Sequence, residues 1–370
     1  GMPVGSADAI LFPNTSGAET LIDRCDPNAT GFSMKGFFAG FTSIYIAIRR
    51  GPMKVPTDAT KVFSPIASSA GTGTKLTTGF TVDFQLENIR GGNPTNSSAM
   101  DRLRGVSSTT TETSGQYLVT SATDAENTTN TNRTRYWDNT GFQMPSGFAS
   151  AGVVFWNFQR APSFFDEVCY TGNGTSGTTK NHNLGVVPEL VILKDRSAVQ
   201  EWRVMCAYYN NNVDPWSYRM ALNTTGGISA GSGVFNDTAP TASVFTLGNN
   251  AEVNASGDTY VAYLFATCAG VSKVGSYTGN GTTQTINCGF TGGARFVLIK
   301  RTDSTGDWYV YDTARGMTVL TDPYLLLNST AAESATLGSV TTVSTGFAVN
   351  ASILAAINTN GASYIYLSIA

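Results

Sequence analysis

The chain carries an internal repeat of roughly 100 residues, and a fixed period limits the possible folds more than any single motif does. Residues 169–266 open with CYTGNGT and end with GDTYVAYLFA, while residues 276–370 open with SYTGNGT and end with GASYIYLSIA. Between these ends, EWRVM at 201–205 corresponds to DWYVY at 307–311. The sequence therefore predicts two copies of one structural unit.

A third, more diverged copy lies at 62–160, where DRLRG at 101–105 corresponds to DTARG at 312–316. Residues 10–48 match only the second half of the unit, so we expect the chain to begin inside a repeat. We divide the chain into four parts: 1–50, the C-terminal half of a repeat that is truncated or completed by a neighbour; 62–160, a diverged β-sandwich; 169–267, a β-sandwich with an aromatic insertion at 207–219; and 275–370, a further β-sandwich.

The fold class follows from short strand-like runs and from the absence of helical periodicity. Runs such as ARFVLIKR and SYIYLSIA alternate or are continuously apolar, and turn residues separate them every 8 to 12 positions. We predict an all-β protein of tandem antiparallel β-sandwich repeats, with a jelly-roll-like variant possible, a closed barrel as second choice, and little helix. The Asn173-Gly174 and Asn280-Gly281 pairs predict a hairpin at the start of two units.

The last strand of each unit is nearly all apolar, as in VVFWNFQR, YVAYLFAT and YIYLSIA. Such a strand is typical of a central position that is covered on both faces. The connectors between units are short, and Pro52, Pro56 and Pro162 stiffen two of them. We therefore expect a semi-rigid string or stacked array of units.

Charge and hydropathy exclude two classes of partner. The formal net charge is −3 and no basic stripe is present, so we expect no nucleic-acid partner. No run approaches the length of apolar sequence that a membrane helix needs, so we expect no membrane insertion.

The residues that catalysis needs are scarce. His182 is the single histidine, and no metal-binding, nucleophile-elbow or nucleotide-binding motif accompanies it. We therefore predict no enzyme, no catalytic residue, no metal site and no cofactor; calcium at an Asp/Asn-rich turn such as 254–258 is the alternative for a metal, without EF-hand spacing. The only enzymatic alternative is a capsule-degrading glycosidase that uses paired carboxylates. Asp101 and Asp312 recur in a DxxRG motif, however, which is more simply a structural pairing with Arg104 and Arg315.

Loop aromatics supply the candidate contact residues. The insertion YYNNNVDPWSYR at 208–219 is unique to one unit, and RYWDNTG at 135–141 presents another tryptophan. Aromatic side chains on loops stack on sugars or anchor protein partners. The candidates for glycan or partner contact are Trp137, Tyr208, Tyr209, Trp216 and Tyr218. Alternatively, Trp216 covers the end of its own sandwich, and Trp137 does the same.

The motifs YTGNGT, GFTGGARFVLIKRTDSTGDWYVYDTARG, YLLLNSTAAE and GASYIYLSIA resemble a repeat domain of unknown function in virion proteins of tailed bacteriophages. The resemblance covers nearly the whole chain from residue 10 and is most specific in the last 100 residues. It implies a virion location in a tail fibre, spike or other surface appendage, a homo-oligomer with a trimer favoured, and other virion proteins as partners. It supplies no catalytic residues.

These observations leave three functional hypotheses in order. The first is a structural virion protein that mediates host-surface attachment or assembly contacts, with a host glycan or receptor as a further partner. The second is a carbohydrate-binding, lectin-like module that uses Trp216 or Trp137. The third, a capsule-degrading glycosidase, requires clustered acids in one copy only.

Overall fold

A computed structural model describes residues 8–10, 16–18, 20–22, 25–28, 31–34, 54–70, 73–91, 97–105, 116–128, 137–144, 152–318, 321–335, 338–350 and 354–370. The strands form antiparallel sheets, and the α-helices within these ranges are two four-residue turns, α1 (Ser232–Phe235) and α2 (Ala251–Asn254). The all-β sandwich prediction is confirmed.

The N-terminal region contributes two separate pairs of antiparallel strands. Strand β1 (Asp8–Ile10) pairs with β2 (Thr20–Ile22), and β3 (Cys25–Asn28) pairs with β4 (Gly31–Met34). Most of residues 1–50 lies outside the described residues, so the half-repeat there stays a prediction.

Three sandwiches follow, each built from a large and a small sheet. The first contains β5 (Phe63–Ser68), β6 (Lys75–Thr77), β7 (Phe84–Ile89), β8 (Ser97–Asp101), β9 (Leu118–Val119), β10 (Gly141–Gln143) and β11 (Val153–Phe158). Its large sheet has the order β5-β11-β7-β8-β9, and β6 pairs with β10 in the small sheet.

The second sandwich contains β12 (Phe165–Thr171), β13 (Thr178–Asn181), β14 (Leu190–Asp195), β15 (Arg203–Cys206), β16 (Tyr218–Ala221), β17 (Ser229–Ala230), β18 (Val244–Leu247) and β19 (Thr259–Phe265). Its large sheet has the order β12-β19-β14-β15-β16-β17, and its small sheet pairs β13 with β18.

The third sandwich contains β20 (Ser272–Thr278), β21 (Gln284–Asn287), β22 (Phe296–Arg301), β23 (Trp308–Asp312), β24 (Leu325–Leu326), β25 (Val340–Val343), β26 (Gly346–Val349) and β27 (Ser363–Ile369). The order of its large sheet is β20-β27-β22-β23-β24, and that of its small sheet is β21-β26-β25. The three large sheets thus begin with the same arrangement of strands. The tandem-repeat interpretation and its boundaries stay predictions.

The last strand of each sandwich, β11, β19 or β27, lies between two neighbours of its large sheet and is buried on both faces, as its apolar sequence predicts. In β27, Tyr364 and Tyr366 pack in the core of the third sandwich, while Ile365 and Leu367 belong to a different core. Alternation along one strand therefore supplies two hydrophobic cores.

That second core is common to all three sandwiches. It joins apolar side chains from the outer faces of the three large sheets. The Phe158 ring lies 5.8 Å from the Phe265 ring and 6.3 Å from the Phe296 ring, so it contacts both other sandwiches. Burying each such ring contributes roughly 1.5–3 kcal/mol. The sandwiches are packed around one centre rather than arranged as a string or a stacked array.

The hairpins predicted at the Asn-Gly pairs are wrong. Strand β12 pairs with β19 and β13 pairs with β18, so Asn173-Gly174 carries the chain from the large sheet to the small one. Only the glycine has a positive φ, 72° at Gly174 and 69° at Gly281. A type I′ hairpin needs positive φ at both residues, and this corner does not supply it.

Candidate functional site

Three seams join the sandwiches into a closed ring: first to second, second to third, and third to first. An equivalent backbone hydrogen bond crosses each seam. In each case an amide N–H of one sandwich donates to a carbonyl that directly follows β14, β22 or β7 of the neighbouring sandwich. The donors and acceptors are Glu126 and Arg196 at 2.9 Å, Ile228 and Thr302 at 2.8 Å, and Glu333 and Arg90 at 2.8 Å.

Side chains reinforce two of these contacts with ion pairs. Arg196 and Glu126 lie 2.8 Å apart across the first seam, and Arg90 and Glu333 lie 2.7 Å apart across the third. At the seam between the second and third sandwiches, Thr302 and Ile228 occupy the corresponding positions. This seam therefore has shorter and uncharged side chains where the others have a salt bridge.

The two DxxRG motifs lie at the same two seams, and their structural pairing is confirmed. The Asp101 carboxylate accepts hydrogen bonds from the Arg104 amide, at 2.8 Å, and from its guanidinium. Tyr263 of the next sandwich donates its hydroxyl to the same carboxylate at 2.6 Å. Both charged side chains are completely buried. The motif thus holds two sandwiches together and offers no accessible acid to a substrate.

The third-to-first seam repeats this arrangement with a different donor. Asp312 pairs with Arg315, and the Trp156 indole N–H donates to Asp312 at 2.9 Å. The Arg315 guanidinium carbon lies 5.5 Å from the centre of the Trp156 ring, which adds a cation–π contact.

The second-to-third seam lacks the charged motif. Tyr209 takes the place of the arginine, and its hydroxyl donates to the Val204 carbonyl at 3.1 Å, as the Arg104 guanidinium does to the Ala99 carbonyl. On the third sandwich, strand register places Leu367 where the other sandwiches have Trp156 and Tyr263. At the seam without the buried Asp–Arg motif, an apolar residue therefore stands where the other two seams have a hydrogen-bond donor.

A groove of about 290 Å³ opens at this seam. Its lining comes from the second and third sandwiches and is mainly hydroxyl, amide and phenol groups. The residues that line it are Tyr208, Asn210, Asn211, Ile228, Ser276, Tyr277, Thr278, Thr302, Asp303, Ser363 and Tyr364.

The aromatic residues of the groove are held firmly. The Tyr277 and Tyr364 rings stack with their centres 4.9 Å apart. The Tyr208 hydroxyl donates to Glu189 at 2.8 Å, and burial, followed by the nearby Glu189 charge, raises the pKa of Tyr208. Burial also raises the pKa of Tyr277, so the phenols of Tyr208 and Tyr277 stay neutral at ordinary pH.

The loop of the aromatic insertion forms one wall. Asn210 and Asn211 both adopt left-handed backbone conformations, with φ of 50° and 54°. Asparagine is among the few residues that tolerate this region. The Asn210 side chain amide donates to the Tyr218 hydroxyl at 3.2 Å, which fixes the loop against the sheet. The Asn211 side chain is exposed.

Asp303 is the charged residue of the lining. Its carboxylate accepts a hydrogen bond from Arg301 at 2.9 Å, and that bond lowers the pKa of Asp303. Because the pair is on the protein surface, its charges largely offset each other.

The structure separates the sequence-predicted contact residues into two groups. Tyr208 lines the groove, and Tyr218 supports it through Asn210. Tyr209, Trp216 and Trp137 are buried, with exposed fractions of 0%, 8% and 6%. These three are not available to a glycan, so the surface-contact interpretation is wrong for them.

The buried tryptophans have packing roles. Trp216 belongs to the core of the second sandwich and lies 5.8 Å from the Phe235 ring, which agrees with the alternative that it covers the end of its own sandwich. Trp137 belongs to the core of the first sandwich. Sequence reasoning missed Ser276, Thr278 and Asp303. Thr278 lies within the repeated YTGNG motif, Ser276 directly precedes it, and Asp303 lies in KRTDS at 300–304, where all three differ little from ordinary turn residues.

His182 is nearly buried and hydrogen-bonded within its own sandwich. Its Nδ1 accepts from the Leu184 amide at 3.2 Å, and its Nε2 lies 3.1 Å from the Thr241 carbonyl. Burial lowers the pKa of His182. Among the described residues, no cluster of histidine, cysteine and carboxylate side chains can hold a metal ion, and no helix is long and apolar enough to cross a membrane.

Comparison with known proteins gives a family but no function. Residues 58–370 match a family model described as a domain of unknown function (DUF7483), so the match extends over all three sandwiches. No curated protein matches the chain at a significant level.

Proposed function

The chain belongs to the DUF7483 family, and we propose that it is a structural protein of a tailed-bacteriophage virion. In this proposal it forms part of a tail fibre or another appendage on the particle surface. There it contacts the host surface or neighbouring virion proteins. The resemblance of its repeat motifs to phage virion proteins motivates the proposal.

The observation that carries the proposal is the closed ring of sandwiches around one core. A single cluster of buried apolar residues draws on all three large sheets, and hydrogen bonds cross every seam. Packing of this kind disfavours movement of one sandwich against another and resists local opening. An appendage that is exposed to the extracellular medium needs this property.

The surface supports a contact role rather than catalysis. The buried Asp–Arg pairs and His182 all have structural partners within the fold. Within the described residues, the large apolar side chains that are exposed are Val55, Val187, Val199 and Val213. A partner would therefore meet a mostly polar surface of low charge.

The proposal is tested on purified particles. Mass spectrometry of virions from a phage that encodes the chain should detect it in fixed stoichiometry, and labelled antibodies should mark an appendage by electron microscopy. Absence from purified virions would reject the proposal. Mass photometry of the isolated protein tests the expected homotrimer.

A further inference from the structure

We infer that the groove between the second and third sandwiches binds a neutral saccharide ring. This inference deepens the proposed attachment role, and it rests on that role only for the expectation that the saccharide belongs to the host surface. The residues of the second-to-third seam alone define the binding site.

The groove exists because this seam lacks the side chains that occupy the other two. An arginine–glutamate pair crosses the first and third seams at the positions where this seam has Thr302 and Ile228. Both Thr302 and Ile228 line the groove. The backbone hydrogen bond between them is the same as at the other seams, so the two sandwiches are no farther apart here. The groove is present because the side chains are smaller.

The size of the groove suits one sugar-sized ring. Its volume of about 290 Å³ is just below the range for small-molecule pockets, roughly 300–1,000 Å³. A single pyranose ring with its hydroxyl groups is a ligand of suitable size for it.

The chemistry of the lining matches a polyhydroxylated ligand. Ser276 and Thr278 are exposed hydroxyl residues on β20, and Asn211 offers an exposed amide from the opposite wall. Asp303 supplies carboxylate oxygens beside them. Sugar hydroxyls both donate and accept, so such a mixed set of donors and acceptors is complementary to them.

Tyr208 supplies the apolar contact that a sugar ring needs. Its phenol ring is partly exposed in the groove, whereas Tyr277 and Tyr364 are 9% and 1% exposed and pack in the core of the third sandwich behind the groove wall. The Tyr208 ring is fixed in place by its hydrogen bond to Glu189. Ordering the site on binding therefore costs little conformational entropy.

Charge selects against ionic ligands. Among the described residues that line the groove, Asp303 is the charged one, and Arg301 already pairs with it. The described lining therefore offers no cation to a phosphate, sulfate or uronate, which would lose hydration without a compensating ion pair. A neutral hexose, deoxyhexose or N-acetylhexosamine meets no such penalty.

The test uses the full chain and a panel of neutral and acidic monosaccharides, measured by saturation-transfer NMR and by titration calorimetry. We expect at least one neutral sugar to bind with a Kd of about 1 mM, which is typical for a ligand of this size. Acidic sugars and inorganic phosphate should bind at least ten-fold more weakly.

Matched variants locate the binding. Asn211→Ala removes a lining amide, while Asn212→Ala changes a neighbour that is also exposed and left-handed, with φ of 66°, but does not line the groove. We expect Asn211→Ala to weaken binding about ten-fold and Asn212→Ala to leave it unchanged. Filling the groove with Ser276→Trp should abolish binding, whereas Thr305→Trp on an exposed turn should not.

Three outcomes overturn the inference: no neutral sugar binds at 50 mM (about fifty times the expected Kd), an acidic sugar or phosphate binds best, or the Asn211 and Asn212 variants lose binding equally. None of these results bears on whether the chain is found in virions. Conversely, absence from virions would reject the proposed function and leave a measured sugar affinity intact.

Discussion

Glu167 on β12 is a buried acid whose carboxylate makes no hydrogen bond to the described residues. It is 1% exposed, and neither of its carboxylate oxygens has a hydrogen-bond partner within the described part of the chain. Burial, with the Asp101 charge as a second cause, raises the pKa of Glu167 well above its usual 4.5. The folded protein therefore keeps this carboxyl protonated at pH values where the unfolded chain ionises it.

This difference predicts how stability depends on pH. A raised pKa contributes stability that is fully present below pH 4.5 and is lost as pH rises towards the folded-state value. Glu167→Gln removes the ionisable group but keeps the shape. We expect equal stability of both proteins near pH 4 and higher stability for Glu167→Gln at pH 8. Urea unfolding at both pH values measures this, and parallel pH profiles would contradict it.

Burial of individual aromatic residues could not be predicted from local sequence. The insertion at 208–219 is polar overall, yet Tyr209 and Trp216 turn inward while Tyr208 lines the groove. The Tyr209 side chain points inward because it occupies the position that the arginine has in the DxxRG motifs of the other two units. An alignment of that motif across the units would have indicated a buried side chain, whereas the polar residues around Tyr209 indicate an exposed one.

At the scale of elements, the seams follow a consistent pairing rule. Where one sandwich presents a buried Asp–Arg pair, the next presents a hydrogen-bond donor, Tyr263 or Trp156. Where the second sandwich presents Cys206 and Tyr209, the third presents Leu367. Because a buried donor or carboxylate without a partner is costly, the residues on the two sides must change together.

The pairing rule makes a testable distinction at the third-to-first seam. Arg315→Met leaves the Asp312 charge buried and unpaired, so we expect a loss of about 3–5 kcal/mol in unfolding free energy. The triple variant Asp312→Cys, Arg315→Tyr, Trp156→Phe removes the charges and the donor together. Its expected loss is below about 2 kcal/mol. Urea unfolding compares the two, and a triple variant that is no more stable than Arg315→Met would contradict the rule.

Close backbone approach at the second-to-third seam gives another prediction. A Cβ atom added at Gly227 would lie 2.6 Å from the Thr302 carbonyl oxygen, whereas one at Gly226 would meet only the Thr224 hydroxyl at 3.7 Å. We expect Gly227→Ala to destabilise the protein by about 1–3 kcal/mol because the seam must open. Gly226→Ala is the matched control with little change. Thermal unfolding of the pair checks this, and equal melting temperatures would show that the seam tolerates the shift.

Strand patterns were predictable from the sequence, whereas strand pairing was predictable only in part. The apolar strands β11, β19 and β27 are buried on both faces as their composition indicates, because two-sided burial removes the polar alternation. The hairpins predicted at the Asn-Gly pairs are wrong because the same dipeptide occurs both in hairpins and in turns that connect two sheets. Long-range packing decides which sheet the next strand joins.

At the scale of the whole molecule, ring closure was the least predictable feature. The third-to-first seam joins Arg90 to Glu333, which are 243 residues apart in the chain. Local periodicity carries no information about such a pairing. The units were expected to form a string or a stacked array, and the outer side chains of their large sheets instead meet in one core around a small apolar cavity.

Because the three sandwiches share one core, we predict that a substitution that destabilises one of them also destabilises the other two. Leu298 lines the central cavity together with Ile192 of the second sandwich and Leu86 of the first. Leu298→Ala should cost about 2–5 kcal/mol and give one unfolding transition. Hydrogen exchange followed by mass spectrometry should show faster exchange in β11, β19 and β27 alike. The control Asn360→Ala, at an exposed position, should leave the exchange rates of these strands unchanged. Faster exchange confined to residues 272–369 would instead mean that the sandwiches unfold independently.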